Sequence, residues 1–171
     1  VGRAVVVGAG FIGLEMAENL THRGIKVILI DLADQVMPVL DAEMTAPLVQ
    51  EMEKQGISIV LRDSVKKFER TEQGLKVSTS EGRKLFTDMV ILAIGVAPDT
   101  HLAKDAGIKT TDRGHIVVDG HMRTSAEHIY AAGDAVQVHN VINGEKCVLP
   151  LAGPANRQGR LIADVITGHP R

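Results

Sequence analysis

The sequence has 171 residues, 44% hydrophobic and 23% charged, with 19 Lys and Arg against 21 Asp and Glu for a formal net charge of -2. That balance excludes disorder, collagen-like repetition and the dense basic run that a nucleic-acid surface needs. No apolar segment reaches the ~20 residues of a membrane-spanning helix, and no signal-peptide pattern opens the chain, so a soluble, unexported, cytoplasmic protein without membrane contact is expected. The single cysteine, Cys147, leaves no internal disulfide and fits a reducing compartment.

Val1 lies two residues before a buried strand pattern, which leaves no room for an introductory element and suggests an excised piece. Only Phe11, Phe68, Phe86 and Tyr130 are aromatic, so the core is expected to be aliphatic.

Arg3 to Val7 (RAVVV) reads as a strand covered on both faces, and Gly8 ends it. A helix follows, with Ile12, Met16 and Leu20 on one face and Gly24 as its stop. Lys26 to Asp31 (KVILID) repeats the buried-strand pattern, completing a βαβ unit. A second helix is expected from about Asp41 to Gln55, where Pro47 forces a choice. Either the helix starts near Thr45, or a first turn capped by Asp41 is interrupted there.

Ile57 to Leu61 reads as a third buried strand. Shorter segments follow at Val65 to Arg70, Leu75 to Thr79 and Arg83 to Phe86, punctuated by Gln73-Gly74 and Glu81-Gly82. They suggest an antiparallel meander attached to the parallel sheet. Met89 to Ile94 returns to a buried strand and halts at Gly95. His115 to Val118 and Glu127 to Ala132 (EHIYAA) are expected as further short strands, and a last helix over Asn156 to Ile166. The order predicts a Rossmann-like α/β fold, a parallel sheet with an antiparallel β-meander.

Gly8, Gly10 and Gly13 form G-x-G-x-x-G where the first strand turns into the first helix. Gly8 allows the tight turn, Gly10 the approach of a pyrophosphate, and Gly13 close packing of helix on strand. Amides from Phe11 to Gly13, Ile12 included, would face the phosphates, because the first helical N–H groups have no intrahelical partner. Ala9 lies inside the turn. Asp31 closes the second strand roughly 20 residues on, where a carboxylate accepts hydrogen bonds from an adenosine ribose. The pattern points to a bound dinucleotide rather than an empty turn. With Asp34 close behind and no Arg or Lys between the two acids, NAD is expected over NADP.

Glu15 is placed in the first turn of the first helix, where the dipole alone explains a carboxylate. Gly95 has two readings, a ligand contact at the carboxyl edge of the sheet or a strand-terminating turn. Asp134, after Gly133, could meet a polyhydroxy chain or cap a helix. Arg157 and Arg160 read as solvated, and Cys147 as a small half-buried apolar group rather than a nucleophile. The seven histidines show no metal-ligand spacing, and no metal is expected.

The blocks VVVGAGFIGLEMAENL, VILIDLADQVMP, ILAIGVAPDT, TSAEHIYAAGDA and LPLAGPANRQGRLIADVITG together resemble the pyridine nucleotide-disulfide oxidoreductase family over essentially the whole chain. Within it they look most like the branch with one active-site cysteine: CoA-disulfide reductases, NADH-dependent persulfide reductases and NADH oxidases. The resemblance implies an NAD(H)-binding domain over residues 1–118 and, over 119–171, the C-terminal segment of a split FAD-binding domain. It implies that Gly8, Gly10, Ile12, Gly13, Asp31 and Gly95 contact NAD and that Gly133 and Asp134 meet FAD. Pro150, Leu151 and Ala152 would line the flavin, and Glu15 would be a supporting carboxylate near the reacting rings. It further implies a homodimeric parent acting on a small thiol or disulfide substrate. The family's first glycine fingerprint and catalytic cysteine have no match here, so the chain alone is expected to be inactive. A stand-alone NAD-binding sensor, and a minimal flavoprotein with FAD at Gly8 to Gly13, are the competing readings.

Overall fold

The computed structural model describes residues 1–72 and 74–169. In chain order the elements are β1 (Arg3–Val7), α1 (Phe11–His22), β2 (Lys26–Ile30), α2 (Ala42–Lys54), β3 (Ser58–Val60), β4 (Val65–Thr71), β5 (Gly74–Thr79), β6 (Lys84–Thr87), β7 (Met89–Leu92), α3 (His101–Asp105), β8 (Ile116–Val117), β9 (Val136–His139), β10 (Lys146–Cys147) and α4 (Ala152–Ile166). They form two compact units, Val1–Gly95 and Val96–Arg171. The boundary implied by the resemblance, after residue 118, lies within the second unit, directly behind β8.

In the first unit a parallel sheet runs in the order β3-β2-β1-β7. The β-branched runs make it because both faces are covered. Alternate residues point to opposite sides. Ala4, Val6, Val27 and Leu29 pack beneath the helices with Ala17, Leu20 and Met52. Val5, Val7, Ile28, Ile30 and Val90 face Val65, Val77 and Leu85. The meander, a separate antiparallel sheet in the order β4-β5-β6, thus covers the face that the helices leave bare. Burying each such aliphatic side chain contributes roughly 1.5–3 kcal/mol. Gln73, half of the first expected turn pair, lies outside the described residues.

α2 resolves the Pro47 question differently from either expectation. The helix begins at Ala42 and runs through Pro47 unbroken, with Asp41 at the N-cap position but no side-chain cap bond. Thr45 is buried and its hydroxyl donates to Ala42 O at 3.0 Å, anchoring the turn before the proline. Pro47 is exposed and removes one helical N–H. Pro47→Ala is therefore expected to raise stability by roughly 1–3 kcal/mol, read as a higher urea midpoint at unchanged slope.

In the second unit β8 pairs parallel to β9, and β9 antiparallel to β10. The EHIYAA stretch is not a strand. Among the described residues its ladder contact is one antiparallel bridge between Tyr130 and Arg123, flanked by hydrogen bonds from the Thr124 N–H to Ile129 O and from the Ala131 N–H to Met122 O. The positive φ of Met122 and His128 breaks the extended backbone on either side. The extended chain lies further on, in the β9–β10 hairpin. α4 starts four positions ahead of its expected onset, with Pro154 in the first turn where a missing N–H costs nothing. Leu161 and Ile162 pack onto Val118, Met122 and Val136, while Ile166 remains exposed. No helix among the described residues is long and apolar enough to cross a membrane.

Candidate functional site

β2 and β7 flank β1 on opposite sides, so their connections leave in opposite directions and open a crevice at the carboxyl end of β1. The glycine turn sits at that point. Gly8 has φ 107° and donates its N–H to Ile30 O at 2.8 Å. A Cβ there would overlap the Ala93 carbonyl, and one at Gly13 would overlap the Gly8 carbonyl oxygen. Gly8 and Gly13 are therefore required by packing between β1, β7 and α1. Gly10 differs: it is the N-cap of α1 at φ -82°, and a Cβ on it would meet nothing within 4 Å. Packing does not explain a glycine there, whereas close approach of a phosphate does. No side chain caps α1, so the amides of Phe11, Ile12 and Gly13 face the space above Gly10. The cradle thus fits a pyrophosphate.

The Ala9 peptide is clamped on both sides. Its N–H donates to Asp31 Oδ2 at 2.5 Å, and its carbonyl accepts the Met37 N–H at 2.9 Å. Ala9 is fully buried and shapes the turn rather than offering a free donor. Asp31 Oδ1 accepts the Ala33 N–H at 2.7 Å. Two backbone donors thus fix the carboxylate at the tip of β2, each oxygen keeping a lone pair for a hydroxyl.

Around this edge the structure exposes apolar side chains that sequence reasoning did not single out: Leu32 (71%), Leu92 (59%) and Ile94 (72%), beside the expected Phe11 and Ile12. Leu32 carried a signal, an apolar residue between the acids of a polar loop. Gly95 has φ 94° with open space at its Cβ. That positive φ calls for glycine, and the open space leaves both readings of it standing.

Glu15 lies beyond the first turn of α1, which contains no acidic residue. The dipole explanation therefore weakens, since that field falls off within a turn. Its exposed side chain lines a groove between α1 and α2 together with Glu18, Leu48 and Met52.

In the second unit the Gly133 N–H donates to Gln158 Oε1 at 2.7 Å, tying the Ala-Gly-Asp segment to α4. Asp134 is exposed and is followed by β9, so the helix-cap reading is overturned. Pro150, Leu151 and Ala152 are exposed at the start of α4, with Leu151 as its N-cap. Gln158 was missed because its partner lies 25 residues away in the chain. Cys147 is half-buried in β10. Arg157 and Arg160 are exposed.

The sequence profile of the pyridine nucleotide-disulphide oxidoreductase family matches residues 2–159. The chain is 40% identical to an NADH oxidase of Methanocaldococcus jannaschii, covering 97% of this chain and 37% of that protein. Among solved structures, reduced Bacillus anthracis CoADR-RHD superimposes with TM-score 0.93 at 46% identity, over 98% of this chain and 30% of that one. The water-forming NADH oxidase from Lactobacillus brevis, bound to NADH, matches with TM-score 0.90 at 36% identity, over 95% and 36%. The chain thus spans between 30% and 37% of the length of these relatives. On the strength of that match across nearly its whole length, it belongs to the pyridine nucleotide-disulphide oxidoreductase family.

Proposed function

We propose that the chain is the NAD(H)-binding part of an FAD-dependent disulfide or persulfide oxidoreductase. The observation that carries this reading is Gly10: a glycine without a packing reason, facing three free amides at the carboxyl end of β1. Phe11 to Gly13 would hold the pyrophosphate, Asp31 the adenosine ribose, and Gly95 the far side of the crevice. Leu32 and Ile94 would line the adenine and nicotinamide ends with apolar surface. Bound NADH would supply a hydride to the flavin. Glu15 is proposed as a supporting carboxylate near that transfer.

Gly133 and Asp134, fixed by Gln158, together with Pro150, Leu151 and Ala152, are proposed to complete an FAD site whose other residues lie outside this chain. Because β8 pairs with β9, we place the handover between the two domains ahead of β8. A cysteine outside this chain would receive the electrons, Cys147 being a packing residue. The chain alone would then reduce no disulfide, and the parent would be a cytoplasmic homodimer.

Preference for NADH rests on Asp31 and Asp34, whose charges oppose a 2′-phosphate. A further support is the engineered form of the Lactobacillus brevis oxidase that binds NADPH. Its changes replace a glycine, an aspartate, the two residues after it and a proline, at the separations that relate Gly13, Asp31, Leu32, Ala33 and Pro38 here. Fluorescence titration is expected to give an NADH affinity at least ~10-fold above that for NADPH, from loss of like-charge repulsion. Equal affinities, or no binding of NADH, would overturn the reading.

A further inference from the structure

No basic residue lies between Asp31 and Asp34 in sequence, yet the fold delivers one. Arg62 follows β3, and its N–H donates to Ala33 O at 2.9 Å, while Asp63 N–H donates to Asp31 O at 3.1 Å. The backbone on both sides of the arginine is thus stitched to the loop that carries the Asp31 carboxylate. Arg62 holds φ 55°, a conformation that a non-glycine residue keeps only where its surroundings enforce it. Its side chain is 78% exposed, and its guanidinium stands 4.0 Å from Asp34 Oδ2, on a carboxylate 70% exposed. At that distance and exposure the pair holds the guanidinium weakly.

We infer that Arg62 is a cofactor-selectivity residue: released from Asp34, its guanidinium meets the 2′-phosphate of NADPH and gives the site a second, weaker capacity for that cofactor. The inference rests on the proposal that Asp31 holds the adenosine ribose. A 2′-phosphate would project from that sugar into the loop of Asp31 to Asp34, where both acids repel it and Arg62 is the cation tied to the loop. The planar guanidinium presents paired donors that match phosphate oxygens. Asp34 competes for them, so it acts as the restraint on NADPH use. A 2′-hydroxyl carries no charge and leaves the pair undisturbed.

The test is equilibrium titration of the full chain with NADH and with NADPH at low salt, where exposed charges act most strongly. Arg62→Asn removes the charge while tolerating the left-handed backbone. It is expected to weaken NADPH binding about 10-fold, the loss of a charge-assisted contact, with NADH changed by less than about two-fold. Asp34→Asn is expected to tighten NADPH binding up to about five-fold, the worth of an exposed ion pair. Equal effects of Arg62→Asn on both cofactors, or NADPH binding insensitive to both substitutions, overturn the role of Arg62 while leaving the NADH site intact. Failure of the unaltered chain to bind NADH overturns the site and this inference together.

Discussion

Gly10→Ala is expected to leave the protein folded and to weaken NADH binding by at least ~10-fold. Position 10 has an ordinary φ and an added methyl would touch nothing in the protein. Exchanging alanine for glycine at an N-cap costs no more than about 1 kcal/mol. The methyl would instead stand in the space where the amides of Phe11, Ile12 and Gly13 converge. It would hold a phosphate about 1 Å or more too far out, enough to forfeit most of two or three charge-assisted bonds. Gly8→Ala is the contrasting control. There φ is 107° and the methyl overlaps the Ala93 carbonyl, so backbone strain and overpacking together cost roughly 2–5 kcal/mol. Urea denaturation should separate the two: Gly8→Ala lowers the midpoint steeply, Gly10→Ala barely, while NADH titration finds both defective. Normal NADH affinity in a folded Gly10→Ala protein would remove the cradle from the proposed site.

The contrast between these two glycines also shows what was legible in the sequence. G-x-G-x-x-G and the acid after the second strand are local signals, read from a turn and from strand ends, and the structure ties the glycine turn to Asp31 through the Ala9 N–H. The meander was legible for the same reason, since its turns are written in adjacent residues. What stayed hidden depends on partners distant along the chain. EHIYAA has the composition of a strand, yet its pairing with Met122–Thr124 is cut to a single bridge by the left-handed backbone of Met122 and His128, whereas VQVH and KC, too short to stand out, form the β9–β10 hairpin. Pro47 inside α2 defied a local rule because helix packing through Thr45 and Met52 outweighs one lost bond. The clamp of Met37 on Ala9, the delivery of Arg62 to the Asp31 loop, and the tie from Gln158 to Gly133 have no sequence signature at all.

Asp63 is the residue outside the glycine turn whose replacement is expected to cost most. It is fully buried, where desolvation alone would raise its carboxyl pKa. Hydrogen bonds from Thr79, Ser80, the Glu81 N–H and Arg83 outweigh that effect and hold it well below the usual carboxylate range. Ser80 Oγ lies at 2.7 Å, the Glu81 N at 3.1 Å and Arg83 Nη1 at 2.6 Å. The carboxylate thereby bolts the end of β3 to the β5–β6 turn, and its own N–H reaches Asp31. Asp63→Asn keeps the size but loses the charge and turns an amide donor toward other donors. Breaking a buried pair costs about 3–5 kcal/mol, and Arg83, 48% exposed, can rehydrate, which favours the lower end. The folded-state pKa is depressed, so the stabilisation is complete above the unfolded value near 3.8 and is lost as pH falls toward the folded one. Urea midpoints of the unaltered protein should therefore decline between about pH 5 and pH 2. The gap to Asp63→Asn should narrow over the same interval. A gap that stays constant, or widens on acidification, would show that the charge contributes nothing and that the site is held by shape alone. If the bolt acts as described, the amides of Asp31 and Ala33 should also exchange faster in Asp63→Asn. Strand β3 would then be a lever through which the meander sets the rigidity of the ribose-binding edge.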